Sequence, residues 1–112
     1  MNIRTSSDEK IVTAFITGDI DHHSAKNIRN ELDEYINQKK PLLLNLDFSG
    51  IKFMDSSGIG LIMGRYKLIC SLGGRIKVIN IPNNSMLALQ HSYHLVVLLF
   101  YYFDSILVLN QN

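Results

Sequence analysis

The spacing of apolar and polar positions changes character several times along the chain, and each change predicts an element. Ile11-Val12-Thr13-Ala14-Phe15-Ile16 is rich in β-branched and aromatic residues and predicts a strand. Residues 2–5 are expected to pair with it across the polar turn Ser6-Ser7-Asp8-Glu9. Gly18-Asp19-Ile20-Asp21 predicts a tight loop, with Asp21 placed to cap a helix. In that helix Ala25, Ile28, Leu32, Tyr35 and Ile36 recur at helical spacing. Lys39 and Lys40 suit its negative end, and Pro41 prevents its continuation. Leu42-Leu43-Leu44-Asn45-Leu46 is a continuous apolar run, the pattern of a strand buried on both faces. Residues 47–52 then predict a turn, and Phe53-Met54 lead into Asp55-Ser56-Ser57-Gly58. A second helix carries Ile59, Ile62, Met63, Tyr66, Ile69 and Cys70 on one face and ends at Gly73-Gly74, as C-terminal glycine caps do. Residues 76–79 form another strand, closed off by Pro82.

Strands that alternate with helices imply an α/β sheet whose parallel pairs are joined by right-handed crossovers. A chain of 112 residues suits one domain with a single modest core. The eleven Lys and Arg residues are scattered and the formal net charge is +1, which argues against a nucleic-acid surface. Cys70 stands alone, so no internal disulfide forms; its place in an apolar helical pattern predicts a buried core thiol in a reducing compartment. The N-terminus lacks the apolar run of a secretory signal. The longest uncharged apolar block, residues 95–103, is nine residues against the roughly 20 that span a bilayer. These features predict a cytoplasmic protein without a membrane segment.

The stretch Phe53-Met54-Asp55-Ser56-Ser57-Gly58-Ile59-Gly60 holds the most chemistry. It sets two hydroxyls where a buried strand ends and a helix begins. Helix N-termini expose unpaired N–H groups and a partial positive charge, so they favour anions. A serine phosphate would find donors there, and glycine at 58 and 60 leaves the backbone accessible to a docking protein. The plainer alternative is that Ser56 or Ser57 simply caps the helix, as serine often does.

Three blocks, Gly18-Asp19-Ile20-Asp21, Leu46-Asp47-Phe48-Ser49-Gly50 and residues 53–60, resemble the anti-sigma factor antagonist family. That family shares the STAS domain (sulfate transporter and anti-sigma factor antagonist). The fuller run of residues 55–67, with Gly64-Arg65-Tyr66-Lys67, is most similar to its sporulation branch. The resemblance covers about residues 1–84, within a single STAS domain of residues 1–112. It implies a mixed, mostly parallel β-sheet with helices packed against it. It also implies a partner switch in transcription regulation. The unphosphorylated protein binds an anti-sigma factor that is itself a serine kinase, and the sigma factor is freed. Phosphorylation at Ser56 switches the protein off, and a serine phosphatase restores it. On this reading the chain is not an enzyme and needs no cofactor. Its partner-binding residues are Asp21, Asp55, Ser57, Gly58, Ile59 and Gly60. A STAS subunit of another signalling or transport complex is the alternative within the same fold.

The rival from another class is a small serine hydrolase, with Ser56 as nucleophile, His22 as base and Asp19 or Asp21 orienting it. The nucleophile elbow needs glycine two positions before the serine, and Met54 stands there. Metal binding is weaker still: His22 and His23 diverge by about 100° on a helix. His91 and His94 lack a nearby carboxylate, and Asp19, Asp21 and Asp55 read better as caps and solvated turns. The tail departs from the resemblance. After Lys77 the only charged residue is Asp104, and residues 86–109 are mostly apolar, whereas relatives continue with a charged amphipathic helix. Such a segment is expected to lower solubility.

Overall fold

The computed structural model describes residues 1–80 and the backbone of residues 107–110. The expectations for the segment around Leu95 and for His91 and His94 lie outside the described residues. The strands are β1 (Asn2–Thr5), β2 (Ile11–Ile20), β3 (Leu43–Met54), β4 (Arg75–Ile79) and β5 (Leu107–Asn110), and the helices are α1 (His22–Lys39) and α2 (Ser56–Ser71). The strands lie side by side in chain order. β1 runs antiparallel to β2, and β2, β3, β4 and β5 are mutually parallel, which is the mixed, mostly parallel sheet expected.

Burial alternates along the strands. Val12, Ala14 and Ile16 of β2, Leu44, Leu46 and Phe48 of β3, and Ile76 and Val78 of β4 are buried in one cluster with Leu32 and Ile36 of α1 and Leu61, Ile62 and Ile69 of α2. The run 42–46 is therefore not buried on both faces. Leu43 and Asn45 are half-buried and Leu42 is 53% exposed. The helices pack against each other and against the same set of alternating side chains, so among the described residues one face of the sheet gains the full apolar cover.

Two further expectations need correction. Residues 47–52 do not turn: β3 continues through them to Met54, and β2 likewise runs on through Gly18 to Ile20. Between the pairs Phe15↔Asp47 and Thr17↔Gly50, β3 advances one residue more than β2, and it does so again between Gly18↔Ile51 and Asp19↔Phe53. Two bulges thus absorb the turn-forming chemistry without breaking the strand. At the first, the Asp47 carboxylate accepts from the Ser49 N–H at 2.9 Å and the Ser49 hydroxyl at 2.6 Å. Asn80, just past β4, donates to its other oxygen at 2.9 Å. The Gly18 backbone at φ +85° takes up the irregularity on β2, a conformation that glycine adopts without strain.

The second correction concerns α2. Cys70 is exposed, and the buried stripe is Gly58, Leu61, Ile62, Arg65 and Ile69. Arg65 takes a core-facing position because its Nε lies 2.7 Å from Asp33 Oδ1 on α1. The Nε–H points off the line to the oxygen, so charge rather than a linear hydrogen bond holds the pair. Burial pushes the Arg65 guanidinium below its usual pKa, Asp33 opposes this, and Arg29 reinforces it. The helix ends as expected: Gly74 N–H donates to Ile69 O and Gly73 N–H to Cys70 O, with Gly73 at φ +82°.

Two outcomes follow from these contacts. Asp33→Asn should leave a buried guanidinium without its counter-charge. Because Asp33 is 32% exposed, we expect a loss of about 2 kcal/mol in urea unfolding, below the roughly 3–5 of a fully buried pair. Restored stability in Asp33→Leu/Arg65→Met would confirm that the unpaired charge, not lost packing, was responsible. The second outcome concerns Asp47. Burial raises its pKa, but the Ser49 hydroxyl, the Ser49 N–H and the Asn80 amide together hold it below the ordinary carboxylate value. A depressed carboxyl contributes stability above its unfolded pKa, and that contribution is lost as pH falls through the folded value. Stability should therefore fall below about pH 4, and the slope there should be shallower in Asp47→Asn.

Candidate functional site

The two helices begin at neighbouring points. Ile20 and Met54 are register partners at the ends of the parallel strands β2 and β3, so the residues that follow them, Asp21 and Asp55, emerge side by side. The Asp55 N–H donates to Ile20 O at 3.1 Å and ties the two exits together.

Each aspartate caps its own helix. The Asp21 carboxylate accepts from the N–H groups of His23 at 3.0 Å and Ser24 at 2.9 Å, while Ser24 Oγ accepts from the Asp21 N–H. This reciprocal box satisfies donors that a helix N-terminus would otherwise leave bare. The Ser24 N–H bond does most to hold the Asp21 carboxyl below its ordinary pKa. At α2 the Asp55 carboxylate accepts from the Ser57 N–H at 2.8 Å. Neither serine is therefore the cap. Ser56 is the first helical residue; it is exposed, and its hydroxyl makes no hydrogen bond among the described residues.

The remaining site residues have distinct environments. Ser57 and Ile59 are half-buried, and Ile59 packs against the core cluster. Gly58 is buried, and a Cβ built there would overlap Met54 Sδ and Cγ, so the glycine permits the first turn of α2 to sit against the end of β3. Gly60 and Gly64 face open space, so neither serves close packing within the described residues. Phe53 is 48% exposed just before the site, an apolar surface residue that sequence reasoning used only as a lead-in. A groove of about 500 Å³ also opens between the helices, with Lys26 and Arg29 on one wall and Ser57 and Gly60 on the other. Sequence reasoning missed Lys26 and Arg29, although their spacing of three on α1 placed them on one face.

The hydrolase triad is not assembled. The carboxylate of Asp21 is engaged by backbone N–H groups of α1, and among the described residues no hydrogen bond links His22 to Ser56 or to an aspartate. No group of three or more potential ligands able to hold a metal ion occurs among the described residues. No helix among them is long and apolar enough to cross a membrane.

Known proteins are similar to this chain in sequence and fold. A family model described as the STAS domain matches residues 2–93. An anti-sigma F factor antagonist of Paenibacillus polymyxa is 33% identical over 81 residues, covering 72% of this chain and 69% of that protein. An anti-sigma-B factor antagonist of Bacillus subtilis (strain 168) is 30% identical over 81 residues, covering 72% of each. The solved structure of the anti-sigma factor antagonist SpoIIAA in its unphosphorylated form superposes with a TM-score of 0.66 at 25% identity, over 83% of this chain and 80% of that one.

Gly58→Ala tests the packing of the site. Displacing Met54 is expected to cost about 1–3 kcal/mol in urea unfolding. The double variant Gly58→Ala/Met54→Ala should lose less than the sum of the two single losses, because the smaller residue at 54 makes room for the added methyl.

Proposed function

The chain belongs to the STAS domain family, and from that membership we propose that it is an anti-sigma factor antagonist switched by phosphorylation of Ser56. The relatives from Paenibacillus polymyxa and Bacillus subtilis bear that function in their names, and the solved relative SpoIIAA is described by its unphosphorylated state. The whole chain acts as a single STAS domain in the cytoplasm. In its unphosphorylated form it binds an anti-sigma factor with serine kinase activity, the sigma factor is released, and a serine phosphatase reverses the modification.

The observation that carries this reading is the division of labour at the start of α2. Asp55 supplies the cap, and this leaves the neighbouring Ser56 hydroxyl exposed and uncommitted. Phosphate adds about −1.5 to −2 charge and three acceptor oxygens. The helix N-terminus can hold that anion, so modification does not require unfolding. The added charge stands beside Asp55, with Asp21 at the adjoining strand exit. A partner without a matching cation must then desolvate a phosphate instead of a neutral hydroxyl, and binding weakens. Asp21, Asp55, Ser57, Ile59 and Gly60 form the docking surface around it; Gly58, expected to expose its backbone to a partner, is buried against Met54 and shapes the turn from beneath.

Mass spectrometry after incubation with ATP and the partner kinase should place one phosphate on Ser56. Ser56→Ala should bind the kinase and stay bound when ATP is added. Ser56→Asp should bind at least about tenfold more weakly. Ser57→Ala should still be phosphorylated. Phosphate mapped to Ser57, or parent-like binding by Ser56→Asp, would overturn the assignment. Stoichiometric labelling of Ser56 by a serine-directed phosphonate would favour the hydrolase instead.

A further inference from the structure

The groove between α1 and α2 is lined by two cationic side chains, Lys26 and Arg29, with His22 beside them, and by no carboxylate. In a chain of net charge +1 this is a local concentration of one sign. Arg29 and Asp33 stand four residues apart on α1, a spacing at which opposite charges commonly pair. Here the Asp33 carboxylate turns instead to the buried Arg65 on α2. Among the described residues the ion pairs are Arg65–Asp33 and Lys39–Glu9, so neither Lys26 nor Arg29 has a carboxylate partner. The buried Arg65 feels Arg29 as a second positive charge, and its Nε and Nη1 make no hydrogen bond among the described residues. The far wall, Ser57 and Gly60, offers a hydroxyl and a backbone with no side chain in the way.

We infer that this groove receives an acidic side chain, aspartate or glutamate, from the protein that docks on the Ser56 surface. The inference rests on the proposed partner binding and adds the chemistry of one contact. A protein carboxylate fits better than a detached small anion, because the groove is open and continuous with the docking surface through Ser57. An aspartate or glutamate projecting from a partner can reach Lys26 and Arg29 from the open side of the groove. The surface is then bipolar: acidic caps at Asp21 and Asp55, and basic side chains along the groove. A correct partner must present the opposite pattern, which fixes orientation as well as affinity.

The test uses the full chain and the anti-sigma F factor of Paenibacillus polymyxa as probe. Lys26→Glu/Arg29→Glu is compared with Lys10→Glu/Lys67→Glu, which makes the same charge change at exposed positions outside the groove. The groove variant should bind at least about tenfold more weakly than the control variant, with a flatter dependence on salt. Equal affinities for the two variants would overturn the inference while leaving the antagonist reading intact. A second measurement does not need the partner: hexaglutamate peptide, and separately inorganic phosphate, titrated against the labelled protein by NMR. The peptide should shift the amides of Lys26, Arg29, Ser57 and Gly60, and the groove variant should lose those shifts. No shift, or a stronger response to phosphate than to the peptide, would overturn the carboxylate assignment. Failure of the parent chain to bind the probe, with the peptide shifts present, would count against the antagonist reading and not against the groove.

Discussion

The handedness of the strand–helix–strand connection is the constraint on which the rest of the molecule depends. β2, β3 and β4 are parallel and adjacent in chain order, and their crossovers are α1 and α2. Crossovers of one hand that advance in one direction across a sheet deliver their helices to the same face. That placement explains the core, which draws on alternate residues of each strand and leaves Leu42 and Asn45 out. It also brings the two helix N-termini to the same edge of the sheet, where parallel strands end. The juxtaposition of two helix starts, on which the proposed docking surface is built, is thus a consequence of topology before any functional residue is chosen.

Local chemistry then decides what that edge can do. A helix start needs an acceptor for its bare N–H groups, and aspartate supplies one at both positions. If serine supplied the cap at α2, its hydroxyl would be occupied and turned toward the backbone. With Asp55 as cap and Gly58 allowing the first turn to press onto Met54, the Ser56 hydroxyl is left exposed, with no hydrogen bond among the described residues. The same residues that stabilise the corner therefore keep one nucleophilic oxygen accessible.

Much of this was legible in the sequence, for reasons that differ by element. The helices were readable because their apolar spacing, Asp21, Pro41 and Gly73-Gly74 are local signals, and the structure keeps them. The strand through residues 47–52 was not readable. Asp, Ser and Gly have real turn chemistry, and here Asp47 and Ser49 exercise it inside a bulge that only pairing with β2 makes tolerable. Cys70 was expected in the core and is exposed, whereas the charged Arg65 occupies a core-facing position on the same helix, where Asp33 of the neighbouring helix meets its charge. No single-helix pattern contains that information. The Asp-Ser-Ser motif marked the site, but which residue caps depends on the backbone geometry at one position.

The Arg65–Asp33 pair links stability and recognition. Burying a guanidinium is costly, and its carboxylate is recruited from the helix surface where it would have balanced Arg29. The pair that locks α1 to α2 therefore leaves positive charge unbalanced along the groove they form. At the neighbouring edge, two cap aspartates supply negative charge, and a phosphate on Ser56 would add more to that side alone. Modification would then steepen an asymmetry already present: the acidic end becomes a poor match for a partner chosen to complement it, while the basic groove is unchanged. A surface with both signs, altered at one end only, can lose its partner without losing its fold.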